Sequence, residues 1–535
     1  MDANPETGSG VRAGPREWIG LAVLALPTLL LALDLSVLYL ALPQLSADLG
    51  AGSTQQLWIT DIYGFLIAGC LVTMGTVGDR VGRRKLLLIG GAAFAVVSLL
   101  AAYSTSPEML IASRALMGIA GATLMPSTLA LIANMFQDPK QMGTAIAVWM
   151  SCFMGGMAIG PVVGGTLLEH FWWGSVFLLS VPVMAVLLLA GPRLLPEYRD
   201  PDAGRIDVTS VVLSLGTILP VIYGLKELAK SGWQVTPIAT IVAGVVIGVL
   251  FVRRQRRLPN PLLDTRLFRN RSFSAALGIM VFGGVMSGSY LLINLYLQAV
   301  EGLSPLNAGL WLVPSTVATI ISLQAAPIIA RRVRPAYAIA GGLVVTAIGY
   351  LLITQADGPS GLPLLLGGLY VAALGAGPMA GLGTGLIMGV APPEKAGSAA
   401  AMSETGGELG IALGVATMGS IGTAVYHGQL SGAVPGGVPA AAADTARESI
   451  AGAVAVADQL PAPLGTQLLD TARDAFTAAL HSAAGTSAAI AVTLAVVATL
   501  ALRHVGATGE APAEEPAAPE PTPEPQEPEY SKASI

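Results

Sequence analysis

Apolar residues arrive along this chain in runs of about 20 or more, separated by short polar breaks. Wound as a helix, a run of that length crosses the roughly 30 Å hydrocarbon core of a bilayer. Fourteen such runs can be laid out, at approximately 18 to 42, 55 to 77, 86 to 104, 107 to 133, 143 to 168, 173 to 191, 207 to 225, 235 to 252, 273 to 297, 306 to 330, 336 to 355, 363 to 390, 398 to 425 and 482 to 502. Pro182 and Pro220 interrupt the sixth and seventh, which membrane helices tolerate when neighbours re-satisfy the freed backbone groups. The first run follows a polar stretch ending at Glu17 and has no small-residue cleavage pattern, so it reads as a spanning helix and not as a removed leader. The pattern predicts an all-α membrane protein with fourteen transmembrane helices.

Composition agrees: 53% of the 535 residues are hydrophobic and only 11% charged, against about 25% charged in an ordinary soluble domain. With an even number of spans both termini fall on one side. On that layout about 23 of the 28 Lys and Arg lie on the side of the termini, four on the other and one inside the membrane. Basic loops face the cytoplasm, so both termini are expected there, in the plasma membrane of a bacterium. Arg outnumbers Lys 22 to 6, which fits a high-GC genome. The net charge of -5 belongs to the last 31 residues, which hold seven Glu and one Lys. Cys70 and Cys152 lie in apolar runs, too few for a disulfide framework or a zinc site.

The expected organisation is a cytoplasmic tail (1–17), a six-helix half (18–191), two inserted helices (192–252), a basic cytoplasmic loop (253–272), a second six-helix half (273–502) with a long external loop (426–481), and an acidic tail (503–535). The loop is Ala- and Gly-rich with an amphipathic stretch near 468 to 480, and is read as solvated with some helix. The tail is Pro-, Glu- and Ala-rich, a composition that buries no core and predicts disorder.

Between the second and third runs stands Gly75-Thr76-Val77-Gly78-Asp79-Arg80-Val81-Gly82-Arg83-Arg84-Lys85. Topology explains its basic residues but not the spacing G-x-x-x-D-R-x-G-R-[RK], which resembles the signature loop of the major facilitator superfamily. Asp79 is placed to accept hydrogen bonds from a nearby Arg or from the start of a neighbouring helix, a clasp that can form in one conformation and break in another. Arg331-Arg332-Val333-Arg334 after the tenth run is a degenerate counterpart, as repeats would give. In the fifth run, Gly156, Gly160, Pro161 and Gly164 place small residues at helical spacing, with a proline that bends the helix. That segment resembles the antiporter motif of exporters in this superfamily. With Asp34 in the first run and Gln55-Gln56-Leu57-Trp58-Ile59-Thr60-Asp61-Ile62-Tyr63 in the second, the chain resembles the fourteen-helix drug:proton antiporters, specifically the Qac-type exporters of quaternary ammonium compounds. The resemblance implies the major facilitator fold, two six-helix halves plus the two inserted helices. It also implies alternating access, no cofactor beyond protons as coupling ion, and a monomer. One departure is that the tenth run carries no acid, with Thr319 in its place, which puts transport of divalent cations in doubt.

Ionisable residues at membrane depth cost about 2.5 to 3.5 kcal/mol each even on the gentlest scale, so each is a functional candidate. Asp34 lies near mid-membrane, and Arg114, in Arg114-x-x-x-Gly118-x-x-Gly121, needs an acidic partner. Glu404 and Glu408 share a helix face, close enough to favour one bound proton between them. These four are the expected proton-coupling set. Asp61 with Trp58 and Tyr63 offers a carboxylate and rings to an organic cation. Trp149 and Phe153 extend an aromatic wall, and Glu404 also faces cargo. Gly75, Asp79, Arg80, Gly82, Arg83, Arg84, Gly156, Gly160, Pro161 and Gly164 are assigned to gating. No nucleotide loop, metal spacing or nucleophile elbow appears, which leaves a membrane enzyme or receptor little support. The expected function is proton-driven export of lipophilic organic cations such as quaternary ammonium compounds and dyes; the alternative is a dedicated exporter of one antibiotic or metabolite made by the same cell.

Overall fold

The protein is seen in a computed structural model that describes residues 12–199, 207–231, 234–258, 261–357, 361–392 and 395–507. The acidic tail from 508 onward and the first eleven residues lie outside the described residues. Among those described, fourteen helices are long and apolar enough to cross a membrane. Numbering only these, they are α1 (Pro15–Leu49), α2 (Ser53–Val81), α3 (Arg83–Ala102), α4 (Pro107–Met135), α5 (Pro139–His170), α6 (Ser175–Leu194), α7 (Val208–Ser231), α8 (Val235–Gln255), α9 (Arg271–Val300), α10 (Pro305–Ala330), α11 (Pro335–Ile353), α12 (Gly361–Val390), α13 (Ala396–Ser431) and α14 (Ala462–Leu502). The turn before Pro182 in α6 is distorted at Leu179, where the proline cannot supply its backbone donor. Helix α7 carries Pro220 within it and continues.

The long segment before the last span is more helical than its composition suggested. Helix α13 runs to Ser431, two short helices follow (Ala440–Glu448 and Ile450–Ala457), and α14 starts at Ala462, some twenty residues before the expected 482. The reason is amphipathicity. Leu468, Ala472, Ala475, Phe476, Ala479 and Leu480 form a buried stripe on the second-half core, while Asp470, Arg473 and Asp474 lie on other faces and dilute the apolar signal.

Each half packs its fifth helix on its first through a ladder of glycines. On α5, a Cβ at Gly156 would run into the carbonyl oxygen of Leu29, one at Gly160 into Ser36, and one at Gly164 into Val37, all on α1. On α13, Gly406, Gly410 and Gly414 meet Leu277, Val281 and Val285 of α9 in the same way. The i, i+4 spacing on two helices in corresponding positions is an internal repeat that pattern reading overlooked. Helices α7 and α8 pack on each other, and α7 also touches α2 of one half and α13 of the other.

At the end carrying the α2–α3 turn the halves close on one another. Ile387 and Met388 of α12 and Ala396, Ala399, Ala400 and Met402 of α13 join one continuous core with α4 and α5. Gln324 of α10 donates to Ser151 of α5 at 3.0 Å, and Gly143 of α5 sits against Pro327 of α10.

Candidate functional site

Asp34 stands near the middle of α1. Its carboxylate meets Arg114 Nη1 of α4 at 2.6 Å, with side chains 9% and 0% exposed. Arg114 reaches this point because Gly118, one turn on, lets α4 press against the backbone of Tyr63 on α2. Its Nε donates to the carbonyl of Ile59 at 3.3 Å, and the guanidinium lies 4.2 Å from the centre of the Tyr63 ring. The Tyr63 hydroxyl and Arg114 Nη2 are buried with no protein partner among the described residues. A buried guanidinium requires an acidic partner, and Asp34 stands in that place.

Asp61, between Ile59 and Tyr63 on α2, is ion-paired with Lys226 of α7 at 3.0 Å. The ammonium also lies 4.6 Å from the centre of the Phe65 ring. The apolar run predicts an end to α7 at 225, with Lys226 in the following loop; the helix instead continues to Ser231 and carries Lys226 on it. Trp58 is exposed, whereas Tyr63 is fully buried. The structure thus does not bring the expected trio of Asp61, Trp58 and Tyr63 together. Two residues on a helix are about 200° apart, so Tyr63 turns to Arg114 and the ring beside the Asp61 pair is Phe65.

Glu404 and Glu408 of α13 are half-buried and interact with one another. Glu408 is also within electrostatic reach of Lys226 and Tyr63. Acids from both halves thus converge on one region, joined there by a lysine from the inserted pair. Phe153 is half-buried. Trp149 is 2% exposed and its indole donates to Thr128 of α4 at 3.2 Å, so in this conformation it packs α5 on α4 and does not face the acids. Thr319 of α10 is half-buried and donates to the carbonyl of Ser315.

The glycine-rich turn forms a clasp. Asp79 is buried and accepts from Arg83 Nε and Nη2 at 2.9 and 2.8 Å. It also accepts from the backbone N–H groups of Gly397 and Ser398, both at 3.0 Å. Those are orphan donors in the first turn of α13, so one carboxylate of the first half caps a helix of the second. Gly75 permits the approach, since a Cβ there would sit 2.5 Å from Ala401 Cβ and from the Gly397 carbonyl oxygen. Gly82 has φ +112, a backbone that favours glycine. Arg84 reaches the carbonyls of Pro192 and Leu195, while Glu197, unmarked in the sequence, accepts from the N–H groups of Arg84 and Lys85. Arg80 is half-buried at the end of α2.

At the same end Asp207 pairs with Arg254 at 2.7 Å, tying α7 to α8. Hydrogen bonds from Arg254 and then Ser210 hold its carboxyl well below the usual carboxylate range. Gln255 donates to Ser210 and accepts from the N–H of Leu262, and Thr76 donates to the Leu262 carbonyl, so the following loop is fastened to α2 beside the clasp.

The family model described as the Major Facilitator Superfamily matches residues 24–415. The multidrug efflux pump LfrA of Mycolicibacterium smegmatis is 45% identical over 501 residues, 93% of this chain and 99% of that protein. The methyl viologen resistance protein SmvA of Salmonella typhimurium is 35% identical over 469 residues, 86% of this chain and 93% of that one. The crystal structure of the human organic anion transporter MFSD10 aligns with a TM-score of 0.59 at 18% identity, covering 91% of this chain and all of that one; the likeness is one of fold.

Proposed function

The chain belongs to the major facilitator superfamily, and from that membership we propose that it expels lipophilic organic cations, quaternary ammonium compounds and cationic dyes among them, in exchange for protons. It is a multi-pass membrane transporter and not an enzyme, with drug efflux pumps as relatives. The observation that carries the finer reading is the convergence of Asp34, Asp61, Glu404 and Glu408 from two halves on one region that also holds buried Arg114. A site of deprotonated acids attracts a lipophilic cation, and the same acids accept protons.

In this reading the basic end, with both termini, is cytoplasmic, and the clasp at Asp79 holds the halves closed on that side. Protons entering from outside take the acids and release cargo. Protonation then frees the halves to rock back, with α7 and α8 riding between them. Exchange of one monovalent cation for one proton moves no net charge and draws on the pH gradient alone, about 1.4 kcal/mol per unit. A second proton would add about 2.3 kcal/mol per 100 mV. Asp34 and one of the paired glutamates carry coupling protons; Asp61 recognises cargo.

Uptake of tritiated tetraphenylphosphonium into inverted vesicles under an imposed pH gradient tests the proposal. Accumulation that collapses with the gradient is expected. Accumulation that is indifferent to pH, or that needs a nucleotide, would overturn proton exchange. Within that assay Glu408→Gln should slow every cargo, whereas Asp61→Asn should slow some cations more than others.

A further inference from the structure

We propose that Lys226 is a tethered competitor at the cation subsite: its ammonium occupies the place, between the Asp61 carboxylate and the face of Phe65, that an exported cation must take. The inference rests on the reading of cation export. A carboxylate beside an aromatic face is the chemistry that recognises an organic cation, and the structure fills that arrangement with a cation of its own, 3.0 Å from Asp61 and 4.6 Å from the ring centre.

The backbone that presents Lys226 is well fixed. Leu219 packs against Gly69 of α2, Ile222 against Phe65 and Ala68, and Leu225 against Ala412 and Ala416 of α13. Lys226 continues the same face one turn beyond Ile222. The side chain itself is free to leave, because four rotatable bonds separate the ammonium from the backbone.

Exposure distinguishes this pair from the other one in the site. Asp61 and Lys226 keep 35% and 39% of their side-chain surface, whereas Asp34 and Arg114 are sealed. An open pair between flexible partners exchanges readily and is weak. Glu408 attracts the same ammonium from α13, which gives it a second anion when cargo arrives at Asp61. The outcome is a threshold. A cation that cannot outcompete a tethered ammonium is not retained.

A half-exposed ion pair favours its closed form by only about 1- to 4-fold, which leaves about a half to a fifth of sites open, and apparent affinity scales with that fraction. Removing the ammonium should therefore tighten cation binding by about 2- to 5-fold. The test is equilibrium binding of tetraphenylphosphonium to the purified full-length protein. Lys226→Met, which keeps the apolar stem, should bind about 2- to 5-fold tighter than wild type, and Lys226→Arg no tighter. In an Asp61→Asn background, adding Lys226→Met should tighten binding clearly less, since the carboxylate beside Phe65 is gone and only Glu408 is left to compete for. Equal or weaker binding by Lys226→Met, or equal tightening with and without Asp61, would overturn the competitor while leaving cation export standing. Absence of binding in wild type and every variant would overturn the cation reading and the competitor with it. If Lys226→Met does not fold, Lys226→Gln carries the same expectation.

Discussion

Replacing Asp79 with asparagine should open the molecule at the clasp. Of the four hydrogen bonds Asp79 accepts, the two from Arg83 lie within one half and survive any relative motion of the halves. The two from Gly397 and Ser398 cross between halves and exist only while that end is closed. Charge-assisted hydrogen bonds contribute about 1.5 to 3 kcal/mol each and neutral ones about 1 kcal/mol. The amide keeps one neutral acceptor and turns a donor toward the other N–H, so the closed form loses about 2 to 4 kcal/mol relative to the open one. At tenfold per 1.4 kcal/mol, the ratio of closed to open should fall by about 30- to 700-fold. Spin labels at Lys140 and Arg332, both exposed at that end on opposite halves, report the separation by double electron–electron resonance once Cys70 and Cys152 are replaced. A longer-distance population should appear in Asp79→Asn, with slower turnover and cargo affinity within a few-fold of wild type. An unchanged distance distribution would refute the idea that these two bonds latch the halves.

Asp34→Asn should abolish uptake driven by a pH step, because an amide cannot titrate, and should lower the melting temperature, since breaking a buried pair costs about 3 to 5 kcal/mol; pairing it with Arg114→Gln should recover stability but not uptake, and retained uptake by Asp34→Asn would remove it from the coupling set. Gly156→Val should destabilise the α1–α5 contact by about 1 to 3 kcal/mol through overpacking, read as a lower thermal midpoint, while the same change at Gly155, which a Cβ would leave uncrowded, should do much less. Asp207 is held in its charged form by Arg254 and Ser210. A carboxyl with a lowered folded pKa contributes stability that is present above its unfolded value and is lost only as pH falls through the folded one. Asp207→Asn should therefore lower the thermal midpoint by a constant amount from pH 8 to pH 5, with the gap to wild type closing only below about pH 4; a gap that closes between pH 7 and 6 would contradict the sign.

Much of the fold was legible because the bilayer makes one demand of every span. A helix that must satisfy its own backbone in hydrocarbon declares itself by apolar length, and all fourteen spans did so. What escaped was helix outside that demand. The first twenty residues of α14 cover a core on one side and meet water on the other, so Asp470, Arg473 and Asp474 hide the helix from any average over a window, although their spacing around Leu468, Ala472 and Phe476 shows it. The glycine ladders were half seen for a similar reason. Pro161 beside Gly160 marks α5, while Gly406, Gly410 and Gly414 stand among and just after Glu404 and Glu408, whose charges dominate the pattern there.

The site divides along the same physical line. Asp34 and Arg114 each make the other necessary, because a charge buried at membrane depth requires a counter-charge, so their pairing could be inferred before either was located in space. The capping of α13 by Asp79 was also open to inference as a kind of contact, since orphan N–H groups at a helix start attract a carboxylate, but the particular helix was not. Lys226 could not be placed by that logic. At a span's end the ammonium can reach the interface by extending along its own helix, so its charge costs little wherever it points and sequence assigns it to water. Only the packing of α7 against both α2 and α13 turns it toward Asp61, and that packing depends on how two inserted helices sit between halves that neither of them belongs to. The residue that decides how strongly an incoming cation is held can thus be the one whose own burial carries no penalty large enough to show in the chain.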